Sequence, residues 1–243
     1  MTAIPASTFL AFDTATELLS LAVAAQGRVL THEAAGGAQA SAALIPAILA
    51  LLARAGLTLA ELDAIAFGRG PGAFTGLRTA CSVAQGLALG ARKPVLPIDT
   101  LLAVAEDARA GRDALRVWVA MDARMDEIYA AQYEFDGTNG WRMLDAPMLV
   151  TADALHERWA ARPPEMVAGN ALSAFGARLV TGPAELAPDA MPRAAAMLPL
   201  ARAMWARGAA VAPPHALPLY LRDKVAQTTE ERDAARAAKV AVK

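Results

Sequence analysis

The pattern of apolar and polar positions changes period several times along this chain, and each change predicts a strand or a helix. The short apolar run at residues 62–67 predicts a buried strand, and the run of small residues at 75–90 predicts a helix. Between them, residues 68–78 read GRGPGAFTGLR. We call residues 68–76 the glycine-rich turn, because its four glycines let another group approach the backbone closely.

The glycine-rich turn leads into a helix N-terminus, where unpaired N–H groups can hold an anion or the backbone of a partner. Its spacing lacks the Lys and the Ser or Thr of a Walker motif and does not fit a dinucleotide-binding fingerprint. A tight turn that packs the helix on the sheet is therefore the alternative to an anion site. The candidates for nucleotide or anion binding are Asp13, Thr14, Gly70, Gly72 and Thr75.

A strand–turn–strand pattern occurs twice in the sequence. Residues 9–27 predict a strand, a polar turn opened by Asp13 and a second strand, and residues 117–137 repeat this plan with Asp122. The repeat predicts an α/β protein of two similar lobes, each a mixed sheet flanked by helices. We expect residues 1–107 to form the first lobe, 108–225 the second, and 226–243 a mobile tail.

Two predicted helices of the first lobe carry more apolar surface than one sheet can cover. Residues 41–55 predict a helix closed by Gly56 and apolar around most of its circumference, in which Pro46 should cause a kink or a late start. The second helix carries small residues at steps of four, which let another helix approach closely. These helices pack within their own lobe or form a face for a second subunit. The residues expected at such a face are Leu44, Ile48, Leu51, Phe74, Leu77, Arg78, Ala80, Ala84 and Ala88.

Candidate catalytic groups are few in this sequence. Asp13 and Asp122 each follow a predicted buried strand, so each carboxylate suits acid–base or magnesium chemistry or, alternatively, bonds the N–H groups of its own turn. The three histidines stand far apart, without the spacing of a metal site. Cys81 lies in a run of small residues that supplies no activating base. We therefore expect no catalytic residue and no metal ligand in this chain.

Composition narrows the class of protein. The 243 residues carry a net charge of −1 without a basic footprint, which argues against a stand-alone nucleic-acid binder. With 56% hydrophobic residues, the chain has apolar surface to spare for a partner. A single cysteine excludes an internal disulfide, the most apolar stretch at 42–53 is too short to span a bilayer, and the N-terminus lacks a signal pattern. We expect a soluble cytoplasmic protein.

Four ordered motifs resemble the bacterial TsaB family, also called YeaZ. They are LAFDTATELLSLAV, GRGPGAFTGLR running into AQGLALG, AMDARMDEIYAAQY and PLYLRDKVA, and the resemblance covers residues 9–225. It implies a duplicated actin-like ATPase (ribonuclease H-like) fold and a non-catalytic paralogue of the catalytic subunit TsaD. With TsaD and the ATPase TsaE, the family supports transfer of threonylcarbamoyl from its adenylate to N6 of the tRNA adenosine that follows the anticodon.

The resemblance also implies how the chain associates. The helices at 41–55 and 75–90 would pack against those of TsaD, or against a second copy in a homodimer when TsaD is absent, and tRNA would be reached through the complex. No cofactor would be tightly bound, and ATP or ADP would lodge, if anywhere, at the complex interface. Two departures from the family pattern matter here. Ala40-Ser41 replaces a His-Thr pair, and residues 13–16 lack the glycine of the actin-like phosphate loop, which weakens nucleotide binding by this lobe.

Two other functions stay open on the sequence. An active actin-like ATPase or phosphotransferase would use Asp13, the glycine-rich turn and Asp122 around a magnesium nucleotide. A peptidase, a label once attached to this superfamily, would need a cluster of metal ligands that the sequence spacing does not indicate.

Overall fold

Two five-stranded mixed sheets form the framework of the computed structural model, which describes residues 7–222. The first sheet contains β1 (Phe9–Asp13), β2 (Leu18–Ala25), β3 (Arg28–Ala35), β4 (Ala64–Gly70) and β5 (Val95–Asp99), in the order β3-β2-β1-β4-β5. Strand β1 is central and pairs antiparallel with β2 and parallel with β4. All five of its residues are buried, because helices cover both faces of the sheet.

The second sheet repeats this arrangement. It contains β6 (Ala114–Asp122), β7 (Glu127–Asp136), β8 (Gly140–Thr151), β9 (Met166–Ala168) and β10 (Glu185–Ala187), in the order β10-β9-β6-β7-β8. Strand β6 pairs antiparallel with β7 and parallel with β9, so it takes the place that β1 has in the first sheet. Asp122 ends β6 as Asp13 ends β1. The predicted α/β fold of two duplicated lobes is confirmed.

Six α-helices flank the sheets in the described part of the chain: α1 (Ala40–Ala55), α2 (Phe74–Ala91), α3 (Thr100–Arg109), α4 (Ala152–Ala161), α5 (Ala171–Phe175) and α6 (Ala194–Ala206). The helices predicted at 41–55 and 75–90 are α1 and α2. Gly56 follows α1 with a left-handed φ of 69°, and its N–H donates to the Ala53 carbonyl at 3.0 Å. Pro46 lies inside α1, which begins at Ala40, so the proline does not delay the start of the helix.

Two helices pack across the predicted division of the chain into two lobes. Helix α3 lies between the sheets, because Leu101 packs in the core of the second lobe while Ala103 packs on the first sheet. Helix α6 comes late in the chain, yet Met197 packs on the first sheet. The predicted boundary after residue 107 therefore separates the two sheets but not the helices that cover them. The predicted tail at 226–243 lies outside the described residues.

Helices α1 and α2 bury one side each against the first sheet, in a core that includes Phe12 and Phe67. The small-residue ridge of α2 therefore packs within its own lobe, which was one of the two alternatives. Seven residues expected at a partner face are at most 1% exposed, namely Leu44, Ile48, Leu51, Leu77, Ala80, Ala84 and Ala88. Because a fully buried side chain cannot contact a second subunit, the expectation is wrong for these seven. Phe74 is half-buried and Arg78 is exposed.

The glycine-rich turn packs against the β1–β2 turn (residues 14–17) of the same lobe. A Cβ on Gly76 would lie 1.9 Å from the Thr14 carbonyl oxygen, and a Cβ on Gly68 would lie 1.7 Å from a carboxylate oxygen of Asp13. Neither position has room for a side chain, so both require glycine. The group that approaches this backbone is the chain's own turn, which was the alternative to an anion.

We expect Gly76→Ala to lower the free energy of unfolding by more than about 2 kcal/mol, because the new methyl group would collide with the Thr14 backbone. Gly86→Ala is the matched control in the same helix. Nothing lies within 4 Å of its added Cβ, and alanine should stabilise the helix by up to about 1 kcal/mol. Urea unfolding followed by circular dichroism measures both variants. Equal stabilities would contradict the packing argument.

Candidate functional site

Turns from both lobes enclose a cleft of about 300 Å³. The first lobe contributes the β1–β2 turn and the glycine-rich turn, and the second contributes the β6–β7 turn (residues 123–126). The polar residues that line the cleft are Thr16, Glu17, Thr100, Asp122, Arg124, Tyr129, Asn170, Tyr220 and Arg222. The carboxyl ends of β1 and β6 lie at this cleft, which is the usual position of ligand sites in α/β proteins.

Asp13, the first candidate for magnesium chemistry, is fully buried and does not line the cleft. Its Oδ1 accepts a hydrogen bond from the Ala15 N–H at 2.6 Å, and its Oδ2 accepts one from the Thr100 hydroxyl at 2.9 Å. Burial raises the pKa of Asp13 from 3.8 to about 6, against the two hydrogen bonds, which lower it. The carboxylate serves its own turn, which was the alternative to a catalytic role.

The other candidates for anion binding do not meet at one place. Thr14 is buried, and its hydroxyl donates to a carbonyl of the glycine-rich turn at 2.8 Å. Gly70 is buried and donates its N–H to the Thr100 hydroxyl at 3.1 Å. Thr75 is exposed but lies outside the cleft lining, whereas Gly72 belongs to it. The structure thus does not assemble the anion site that these residues were expected to form.

Asp122 occupies the equivalent position in the second lobe, and its side chain reaches the cleft. Its Oδ1 accepts a hydrogen bond from the Arg124 N–H at 2.8 Å, two residues along, as Asp13 does from Ala15. The Arg124 guanidinium lies 3.3 Å from the other carboxylate oxygen, and the Asp122 N–H donates to the Asn170 amide oxygen at 2.8 Å. The two lobes therefore repeat one side-chain-to-backbone hydrogen bond, but Asp122 is partly exposed where Asp13 is buried.

Charged and aromatic side chains surround the mouth of the cleft. Arg124 pairs with Glu17 of the other lobe at 2.8 Å, but these side chains are 70% and 77% exposed, so the pair contributes little stability. The rings of Tyr220 and Phe74 lie 5.4 Å apart, and the Arg78 guanidinium lies 4.4 Å from the centre of the Phe74 ring. This stack joins the C-terminal part of the described chain to the first turn of α2.

Part of the solvent-facing side of α1 and α2 is apolar as well, beside the exposed Arg54 and Arg78. The two helices contact each other, and Ile45 (43%), Leu49 (50%) and Leu89 (69%) are exposed on them. Small or weakly polar exposed residues accompany these three side chains: Ala42, Ala50, Ala53, Ser82 and Gly86. We call these eight residues the helix face. Exposure of several large apolar side chains on two neighbouring helices is a feature of interaction surfaces.

Within residues 7–222, no three His, Cys, Asp or Glu side chains are close enough to share a metal ion. Across the same residues, every helix is too short or too polar to cross a membrane.

Known proteins resemble this chain over most of its length. The family model of TsaD, tRNA N6-adenosine threonylcarbamoyltransferase, matches residues 23–228. The tRNA threonylcarbamoyladenosine biosynthesis protein TsaB of Escherichia coli K12 is 37% identical over 223 residues, which are 89% of this chain and 95% of the relative. TsaB of Haemophilus influenzae is 34% identical over 227 residues, which are 90% of this chain and 94% of the relative. The chain belongs to the TsaB family.

A solved structure of the family has the same fold. YeaZ from Pseudomonas aeruginosa is 38% identical, superimposes with a TM-score of 0.80, and is covered completely by 89% of this chain. The family model that matches is named for TsaD, whereas the relatives matched over nearly their whole length are named TsaB. This TsaB-family chain therefore contains a domain of the TsaD type, and its duplicated lobes agree with the actin-like fold that the motifs implied.

Several residues of the cleft are not marked by the sequence pattern. Thr100 begins α3, a helix that the pattern did not reveal, and Tyr129 lies within β7 as an ordinary strand residue. Asn170 could have been found from the sequence, because Gly169-Asn170 directly follows an apolar run and such a pair marks a turn. The structure has this turn at the end of β9, where Gly169 has a φ of 115°. Arg222 lies in the PLYLRDKVA motif, which carried the resemblance without a stated role.

The buried Asp13 should make stability depend on pH in a specific direction. Its folded-state pKa is raised, so its contribution to stability is complete below pH 4 and is lost as the pH rises through about 6. The raised pKa corresponds to roughly 3 kcal/mol. We expect Asp13→Asn, measured against the native chain by urea unfolding, to gain about that much relative stability between pH 4 and pH 7. Asp122→Asn is the matched control, since it removes the corresponding carboxylate of the other lobe. Parallel stability curves for the native chain and Asp13→Asn would rule out this role of Asp13.

Proposed function

We propose that this chain is a non-catalytic subunit of the tRNA threonylcarbamoyl-transferase complex. It pairs with TsaD and supports threonylcarbamoylation of N6 of the adenosine that follows the anticodon. The observation that carries the proposal is the helix face, an exposed apolar surface on two adjacent helices of a TsaB-family chain.

The composition of the helix face supports association through helices. Ile45, Leu49 and Leu89 offer large aliphatic side chains, each worth about 1.5 to 3 kcal/mol when it passes from full exposure to full burial. Gly86 and Ser82 would let a partner helix approach the α2 backbone. The opposite sides of α1 and α2 are locked into the core, so the face is already rigid before a partner binds. When TsaD is absent, the same face suits a second copy of this chain in a homodimer.

The geometry of the cleft supports the proposal that TsaD, and not this chain, carries out catalysis. An active ATPase or phosphotransferase would need the Asp13 carboxylate, which is buried and bonded to Ala15 and Thr100. Freeing it would break two hydrogen bonds to a buried carboxylate. The Asp122 carboxylate accepts a hydrogen bond from the Arg124 N–H, and the Asp122 N–H donates one to Asn170. We infer that this chain binds no nucleotide tightly by itself and that ATP or ADP binds where the subunits meet.

The remaining components belong to the same complex. TsaE supplies the ATPase, and tRNA contacts the assembly rather than this chain alone, in keeping with a net charge of −1. Such a complex acts in the cytoplasm, without a membrane.

A charge in the helix face should break the complex without unfolding the chain. We expect Leu49→Glu to weaken the heterodimer with TsaD by about 100-fold or more, because the carboxylate would be buried without a partner. Its free energy of unfolding should stay within about 0.5 kcal/mol of the native value, since Leu49 is half exposed. Val180→Glu is the matched control, because Val180 is 65% exposed in the second half of the chain. Calorimetric titration with TsaD measures the affinities, and undiminished binding of Leu49→Glu would refute the proposed interface.

The activity itself is tested by reconstitution. We expect labelled threonine to enter tRNA only when this chain and TsaD are both added to the adenylate-forming enzyme, TsaE and ATP. Leu49→Glu should abolish incorporation at concentrations at which Val180→Glu sustains it. Incorporation with this chain and without TsaD would instead assign catalysis to this chain. Micromolar binding of ATP to the isolated chain, lost in Asp13→Ala, would favour the ATPase alternative.

A further inference from the structure

The C-terminal part of the described chain crosses from one lobe to the other. We call residues 216–222 the strap. The Ala216 carbonyl accepts hydrogen bonds from the Cys81 thiol at 3.0 Å and from the Gln85 side-chain amide at 2.9 Å, both on α2. Further along, the Leu219 N–H donates to a carbonyl of the glycine-rich turn at 2.7 Å. One end of the strap is therefore anchored on the first lobe.

The other end of the strap is anchored on the second lobe through Arg222, whose side chain is 14% exposed. Its Nη2 donates to the Glu127 carboxylate at 2.5 Å and to the Ala123 carbonyl at 3.0 Å. Its Nη1 lies 3.0 Å from Sδ of Met125. A single guanidinium thus contacts the start and the middle of the β6–β7 turn and the first residue of β7.

The β6–β7 turn has an unfavourable backbone conformation. Arg124, Met125 and Asp126 have φ values of 61°, 57° and 58°. Three consecutive non-glycine residues in the left-handed region are rare, because each Cβ crowds the neighbouring carbonyl. Such a conformation persists where surrounding contacts impose it. Arg222 makes the contacts that can do so.

We propose that the strap is a latch between the lobes, in which Arg222 holds the β6–β7 turn in its left-handed conformation and thereby keeps the cleft narrow. Arg124, Met125 and Arg222 all line the cleft, so release of Arg222 changes the shape of this wall. The first anchor lies on α2, where Cys81 and Gln85 adjoin the exposed residues of the helix face. The latch therefore links the helix face to the cleft. The inference goes beyond the proposed function and does not depend on it.

The single cysteine of the chain reports whether the strap lifts. Cys81 is buried under Ala216, so it reacts with a disulfide reagent when the strap moves away. We expect Arg222→Ala to speed labelling about tenfold or more, the scale of lost hydrogen bonds to a charged group. Arg178→Ala is the matched control. It removes another arginine that contacts this turn, at 3.1 Å from Asp126, but with both side chains more than half exposed. Its labelling rate should be native.

Hydrogen exchange of the amides at 123–127 reports on the turn itself. Arg222→Ala should speed their exchange by a similar factor. Adding Met125→Gly should restore the protection of the turn, because glycine adopts a positive φ without strain. The double variant should still label quickly at Cys81, because the strap has lost its anchor on the second lobe.

Native labelling and native exchange in Arg222→Ala would overturn the proposal. So would faster exchange of the turn with native labelling of Cys81, because the strap would then not act as one unit. Failure of Met125→Gly to restore protection would exclude backbone strain as the reason. If Arg222→Ala loses its native circular dichroism, Arg222→Lys takes its place in both measurements. Lysine keeps a charge beside Glu127 but lacks the guanidinium group that also contacts Ala123 and Met125. The labelling and exchange results that support or overturn the proposal are the same for this variant.

Discussion

The fit of the β1–β2 turn against the glycine-rich turn is the contact on which the first lobe depends. Gly76 lets the Thr14 carbonyl approach, and Gly68 lets the Asp13 carboxylate approach, to distances that a Cβ would not permit. The Ala73 N–H also donates to the Ala15 carbonyl at 2.8 Å. This contact ties the end of β1 to the start of α2. It therefore orients α2, and with it both the helix face and the wall of the cleft.

The same contact makes the Asp13 carboxylate inaccessible to a substrate or a cation in the cleft. The carboxylate is enclosed by Gly68, the Ala15 N–H and the Thr100 hydroxyl, so a group that could hold a cation organises a turn. In the second lobe, Asp122 bonds the equivalent N–H but keeps part of its surface in the cleft. The two lobes thus share the hydrogen bond from the turn N–H to the aspartate carboxylate, while the exposure of the carboxylates differs.

Helices α1 and α2 use opposite sides for stability and for exposure. Leu44 and Ile48 lie in the core, while Ile45 and Leu49, one position along, face solvent. A helix that is apolar on both sides fits a chain that buries one side on folding and the other on assembly. This arrangement allows the helix face to be altered without loss of the core.

Periodicity in the sequence was sufficient to predict β1, β4, α1, α2 and the duplication, because each depends on the burial of local residues. It missed β8, whose residues are all partly or fully exposed, so no apolar alternation marks the strand. It also led to Ile48 rather than Leu49 being placed on the exposed side of α1, which is wrong because Ile48 is buried and Leu49 is half exposed. The sequence of a helix that is apolar all round does not show which side faces the core, and only packing on the sheet decides it. By itself the sequence determined the two-lobed α/β architecture, the close approach at the glycine-rich turn and the resemblance to the TsaB family. Only the tertiary structure decided that Asp13 is buried and Asp122 is not, and that α6 covers the first sheet. These outcomes depend on contacts between residues tens of positions apart, such as Thr100 with Asp13, which local pattern does not encode.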